Sequence, residues 1–185
     1  MADLLQGLNL YLVGMMGTGK STVGRLLARA LEYRFFDCDE LAEQISGKTV
    51  SELFAERGEN GFRTLETKIL RELGAQTRSV ISTGGGVVTR AQNWSYLQYG
   101  LSVWLDAPVE LLVKRLADDT SRPLLQETDP EEKLAELLAA RRDLYAQSDL
   151  RVEIGPDELP NQLVNKIIAA IPQKIKPKSD ASINE

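Results

Sequence analysis

The chain has 185 residues, 43% of them apolar, which suffices for one sizeable core and predicts a single domain. A net charge of −5 argues against nucleic acid or an anionic membrane as partner, because both demand basic surface. With no histidine anywhere, proton transfer and metal binding must rest on carboxylates, hydroxyls, lysine or bound phosphate.

The first apolar run, Leu8 to Val13, leads into Gly14-Met15-Met16-Gly17-Thr18-Gly19-Lys20-Ser21-Thr22. This is the G-x-x-x-x-G-K-[ST] phosphate loop, with a strand before it and a helical pattern after it. Its glycines allow successive backbone N–H groups to point inward, and the following helix adds its positive end. Gly17, Thr18, Gly19 and Thr22 are therefore candidates to cradle a polyphosphate. Lys20 is placed to reach the β- and γ-phosphates, and the Ser21 hydroxyl to meet Mg²⁺.

Val23, Leu26, Leu27, Ala30 and Leu31 recur at helical spacing, so the helix should run to about Glu32. A second strand, Arg34 to Asp37, ends in the acidic pair Asp37 and Asp39. In an open parallel sheet ligands gather at the carboxyl ends of strands, which puts this pair beside the phosphate loop. One carboxylate suits a metal-bound water and the other a substrate hydroxyl, with a capping role at the next helix as the structural alternative for Asp39. Cys38 between them reads as small core filler, and a lone cysteine fits a reducing cytosol.

Two short helices are predicted next, about 40–46 and 50–57, with Thr49 and Glu52 forming a capping box. Gly58-Glu59-Asn60-Gly61 should break the pattern before a helix from about Phe62 to Gln76, on which Arg63 and Glu66 share a face. The third strand, Val80 to Thr83, runs into Gly84-Gly85-Gly86. Three glycines after a buried strand cost stability, which implies that something lies close against that backbone.

Further on, a helix is expected over 90–99, a strand over 101–105, and a helix opened by Pro108 that carries Lys114 and Arg115. Asp118 to Pro123 is polar with few apolar anchors, a candidate mobile lid. A long helix should start at Asp129-Pro130 and reach about Ala146, followed by a strand over 151–154 and a terminal helix over 158–171. From Pro172 onward the composition fits a loose tail. Five strands alternating with helices require right-handed crossovers and a parallel sheet covered on both faces, with the helices between Asp39 and Gln76 as a lobe above the phosphate loop.

The phosphate loop alone leaves several classes open. A regulatory GTPase needs Asn-Lys-x-Asp and Asp-x-x-Gly motifs, which do not occur, and the chain is small for a motor ATPase. A small-molecule kinase remains. Arg63, Arg122 and Arg141 are candidate forks for a carboxylate or phosphate, which lysine binds only as a point charge.

From Asn9 to about Ile171 the residues resemble the shikimate kinase family. The resemblance rests on Gly14 to Thr22, Asp37-x-Asp39, Gly58-Glu59-x-x-Phe62-Arg63-x-x-Glu66, the Gly84 to Gly86 triplet, Arg122-Pro123-Leu124 and Arg141-x-x-Leu144-Tyr145. It implies an α/β three-layer P-loop kinase fold, similar to nucleoside monophosphate kinases, with a five-stranded parallel sheet, a helical substrate lobe at about 39–76 and a lid at about 117–127. One domain over 1–171 and a flexible tail over 172–185 follow. The implied reaction is MgATP-dependent phosphorylation of the 3-hydroxyl of shikimate, on the route to aromatic amino acids. By position, Asp39, Arg63, Gly84, Gly85, Gly86 and Arg141 would bind shikimate and Asp37 would hold Mg²⁺ through water. Arg122 would reach from the lid onto ATP, Arg115 would flank the adenine, and Lys20, Asp39 and Arg122 would be catalytic. The other adenine contact is expected near Gly155-Pro156-Asp157. The opening Met1-Ala2-Asp3-Leu4-Leu5 lacks the basic start of a secretory signal and no apolar run nears the ~18 residues of a membrane span, so a cytoplasmic monomer is expected. A kinase for another small polyol acid such as gluconate, and an interaction module that has lost catalysis, are the competing readings.

Overall fold

The computed structural model describes residues 3–117, 119, 124 and 129–175. Among these, β1 (Leu10–Val13) is followed by α1 (Lys20–Leu31), β2 (Arg34–Asp37), α2 (Cys38–Ser46), α3 (Val50–Gly74) and β3 (Ser79–Ser82). A 3-10 turn (Val87–Thr89), α4 (Ala91–Leu97), β4 (Leu101–Asp106), α5 (Val109–Leu116), α6 (Pro130–Tyr145), β5 (Leu150–Glu153) and α7 (Pro160–Lys174) complete the order. The five strands form one parallel sheet in the order β2-β3-β1-β4-β5.

Burial follows strand position. Every residue of β1, β3 and β4 is buried, as a parallel strand covered on both faces requires, whereas the edge strand β5 alternates buried and exposed. Leu10, Leu12, Ile81, Val103 and Leu105 are fully buried here, each contributing about 1.5–3 kcal/mol of apolar burial.

Caps explain several boundaries. Thr49 and Glu52 form the predicted capping box at the start of α3, with Glu52 N donating to Thr49 Oγ1 at 3.2 Å and Thr49 N to Glu52 Oε2 at 2.7 Å. Asp129 caps α6 through Glu131 N at 2.8 Å, with Pro130 at the first helical position.

The structure corrects three expectations. The expected break falls inside α3 but is narrower than four residues: two helical stretches meet at a kink at Gly58 alone, where φ 65° and ψ 174° lie outside the helical region. Glu59, Asn60 and Gly61 are helical, so Arg63 sits one turn inside the second half. At the acidic pair, the helix cap is Asp37 and not Asp39: Asp37 Oδ1 accepts from the Asp39 and Glu40 N–H groups at 3.0 and 3.4 Å. Finally, Pro172 does not end α7, which runs to Lys174 because Ile167 and Ile171 remain fully buried against the core. Residues 176–185 of the expected tail, and Arg122 with most of the expected lid, lie outside the described residues.

Candidate active site

The central strands deliver the site. Beyond β1 the loop turns through Gly17 (φ 78°) and Gly19 (φ 89°) into α1, whose N-terminus has no side-chain cap. The first-turn N–H groups and positive end of the helix thus face the loop without a side-chain cap, the arrangement that suits an anion. Lys20 is buried and its Nζ donates to the Gly14 and Met15 carbonyls at 2.9 Å each, folded back on its own loop. Ser21 Oγ donates to Asp37 Oδ2 at 2.5 Å and lies 3.4 Å from Ser82 Oγ. One oxygen of Asp37 thus fastens α2 while the other faces Ser21, which fixes the carboxylate at the ends of two adjacent strands. This hard-oxygen cluster beside a lysine suits Mg²⁺ carried on a phosphate.

Two clefts meet at that point. Gly17, Gly19, Lys20, Ser21, Thr22, Asp37, Asp39 and Arg115 line the first. The second, about 450 Å³ counted to its open mouth, is lined by Met16, Asp39, Val50, Phe54, Phe62, Arg63, Gly84, Gly85, Gly86, Leu124 and Arg141. Met16, Asp39 and Gly85 belong to both. A third cleft continues from the phosphate loop past Thr18, Thr22 and Arg115 to Glu158, Pro160 and Leu163. Gly155, Pro156 and Asp157 are not among its lining residues, so past Arg115 it is bordered by Glu158 and the first turn of α7.

The second cleft is held by charges in its walls. Arg63 Nη1 donates to Glu66 Oε2 at 2.9 Å, with 7% and 1% of the side chains exposed, and Nη2 reaches Glu59 at 3.2 Å. The glycine triplet makes room for this pair. A Cβ on Gly84 would fall 2.2 Å from Glu66 Oε1, and one on Gly86 would fall 2.1 Å from Arg63 Nη2. Arg141, on α6, is buried and donates to the Gly85 carbonyl at 3.4 Å. Tyr145, one turn further, stacks on Trp104 and donates to the same carbonyl. Burial pushes its hydroxyl up to about 12, so it stays a donor at neutral pH.

Glu66 and Tyr145 were legible only as motif letters. The spacing of Arg63 and Glu66 predicted a shared face, but a surface ion pair and a buried one read alike in sequence. Cys38 fits the filler reading: burial, then the charges of Glu66, Asp39 and Asp37, push its thiol well above the usual range, which leaves it unreactive.

Burial also pushes the Glu66 carboxyl above its ordinary 4.5, Arg63 pulls it back only in part, and Asp39 pushes it further up. Arg63 is lowered by burial but raised more by Glu66 and Glu59. A carboxyl raised in the folded state contributes stability that is full below 4.5 and is lost as pH rises through its folded value. Glu66→Gln should therefore gain stability relative to the parent as pH climbs from 4.5 toward neutrality. Thermal melts of both proteins over that window check the sign, and a constant difference would remove Glu66 as a titrating group.

Comparisons with known proteins agree with this architecture. A family model described as shikimate kinase matches residues 16–172. A shikimate kinase of Microcystis aeruginosa is 55% identical over 93% of this chain and 90% of its own, and one of a Nostoc species is 52% identical over 95% and 97%. The solved shikimate kinase of Acinetobacter baumannii in complex with shikimate superposes with a TM-score of 0.90 at 41% identity, covering 94% of this chain and 98% of that one. A phosphate loop at the end of the central strand, a cleft walled by buried arginines, and these matches lead to one conclusion: the chain belongs to the shikimate kinase family.

Proposed function

We propose that the chain transfers the γ-phosphoryl group of MgATP to the 3-hydroxyl of shikimate, giving shikimate 3-phosphate and ADP. The observation that carries this reading is that Asp39 and Gly85 border both the phosphate-loop cleft and the arginine-walled cleft. A hydroxyl bound in one therefore faces a phosphate bound in the other.

Shikimate offers one carboxylate and three hydroxyls on a small ring. Arg63 and Arg141 suit the carboxylate, because a guanidinium binds it by two parallel charge-assisted bonds. Asp39 suits hydroxyls, the Gly84 to Gly86 backbone lines the floor beneath the ring, and Phe54, Phe62 and Met16 cover its apolar edge. In the phosphate-loop cleft Lys20 leaves the loop carbonyls for the β- and γ-phosphates, while Gly17, Thr18, Gly19 and Thr22 hold the phosphates. Ser21 and, through water, Asp37 would hold Mg²⁺, which when bound offsets charge on the β- and γ-phosphates. Asp39 orients the attacking hydroxyl and takes its proton late, since the loose transition state needs positioning more than base strength. The nucleoside lies in the third cleft between Arg115 and the start of α7.

On this reading residues 39–76 are the substrate lobe, and the lid of about 117–127 brings Arg122 to the phosphates, although Arg122 is outside the described residues. A monomer in the cytoplasm completes the reading. Among the described residues no helix is long and apolar enough to cross a membrane.

An ADP-release assay with shikimate and with gluconate tests the proposal. Mg²⁺-dependent turnover with shikimate alone is expected. Preference for gluconate would reassign the substrate, and turnover with neither would favour an interaction module.

A further inference from the structure

The third cleft presents a base with an apolar floor of Val23 and Leu163, the Pro160 ring and the Arg115 side chain. Glu158 is the one carboxylate among its lining residues. Its side chain is 11% exposed and is pinned at both oxygens: Gly155 N donates to Oε2 at 3.0 Å and Lys166 Nζ lies 2.5 Å from Oε1. A carboxylate offers about four lone-pair positions, so two acceptor positions remain and there is no hydrogen to donate.

We infer that Glu158 selects the purine at its 6-position, accepting from the amino group of adenine and repelling the carbonyl of a 6-oxopurine. The inference rests on the third cleft being the nucleoside site. Its physical basis is the asymmetry of hydrogen bonding in a partly buried site: one built to accept from an N–H penalises an analogue that places a second acceptor there. Pinning matters as much as charge, because an unfastened glutamate could swing to solvent and leave the 6-position unread. Lys166, then the Gly155 N–H, also hold the carboxyl below its usual range, so it remains an acceptor at neutral pH. A role limited to fastening the loop before α7 is the plain alternative.

The test compares ATP with inosine triphosphate, which replaces the 6-amino group by a carbonyl. Product is followed as shikimate 3-phosphate by phosphorus NMR, so that the readout is the same for both nucleotides. The parent should show a KM for inosine triphosphate about tenfold or more above that for ATP. Glu158→Gln removes the negative charge, gives up one of the two fastenings and puts an N–H donor where that oxygen stood, so the ratio should fall toward one, chiefly by improved use of inosine triphosphate. Such a gain cannot arise from misfolding. Arg115→Ala, on the opposite wall, should raise both KM values together. An unchanged ratio in Glu158→Gln, or equal losses for both nucleotides, would reduce Glu158 to a loop fastener, while Arg115→Ala still confirmed the cleft. If Arg115→Ala moved neither KM, the nucleoside assignment itself would fall, and the inference with it.

Discussion

Asp39→Asn is expected to lower turnover by a factor on the order of 10²–10⁴ at saturating shikimate while shikimate affinity changes far less. The substitution keeps shape and hydrogen-bonding capacity but removes the negative charge that the proposed mechanism assigns to orienting the hydroxyl and receiving its proton. With no histidine in the chain, no imidazole can take over. Asp37→Asn should behave differently: its carboxylate caps α2 and faces Ser21 at 2.5 Å, so its loss should raise the Mg²⁺ requirement. Turnover of both variants across a Mg²⁺ titration separates the roles. Full recovery of Asp39→Asn at high Mg²⁺ would exchange them, and near-normal turnover without added metal would remove Asp39 from catalysis.

The second large effect is expected at Arg63. Arg63→Lys should weaken shikimate binding by roughly 1.5–3 kcal/mol, because a two-bond fork becomes a point contact, while ATP affinity hardly moves. The guanidinium here spans Glu66 at 2.9 Å and Glu59 at 3.2 Å, and a lysine cannot span both and still meet a ligand. Titration calorimetry with each ligand provides the measurement. Equal losses for shikimate and ATP would show that the arginine supports the fold or the nucleotide instead.

What sequence could say about this molecule depended on whether the signal was local. The phosphate loop is a contiguous pattern with strand and helix flanks, and it lies where its residues predict. The capping box at Thr49 and the cap at Asp129 are equally local. Gly58 was readable as a break, but not that the helix resumes immediately, since only one residue needs the left-handed φ. Pro172 misled for the complementary reason: tertiary burial of Ile167 and Ile171 outweighs the local cost of a proline in the last turn. The glycine triplet signalled that something approaches its backbone. That the approaching groups include the Arg63–Glu66 pair depends on how α3 packs beside α2, α4 and the 3-10 turn, which no spacing encodes. The chain after β5 offers no motif for a nucleoside, and it is the packing, not the spacing, that brings Glu158 and Pro160 into one cleft with Arg115.

The strand order has a consequence for how the molecule forms. The loop that holds the phosphates follows β1, whose two neighbours β3 and β4 come roughly 70 and 90 residues later in register, Leu10 pairing with Val80 and with Leu101. The cradle therefore cannot be completed by a local hairpin or by the first βαβ unit. It awaits long-range closures of the kind that slow folding. A nucleotide that needs the finished cradle binds the native chain and not its precursors, and so stabilises it by mass action. The same topology that centres the loop makes ligand binding a report on completed folding.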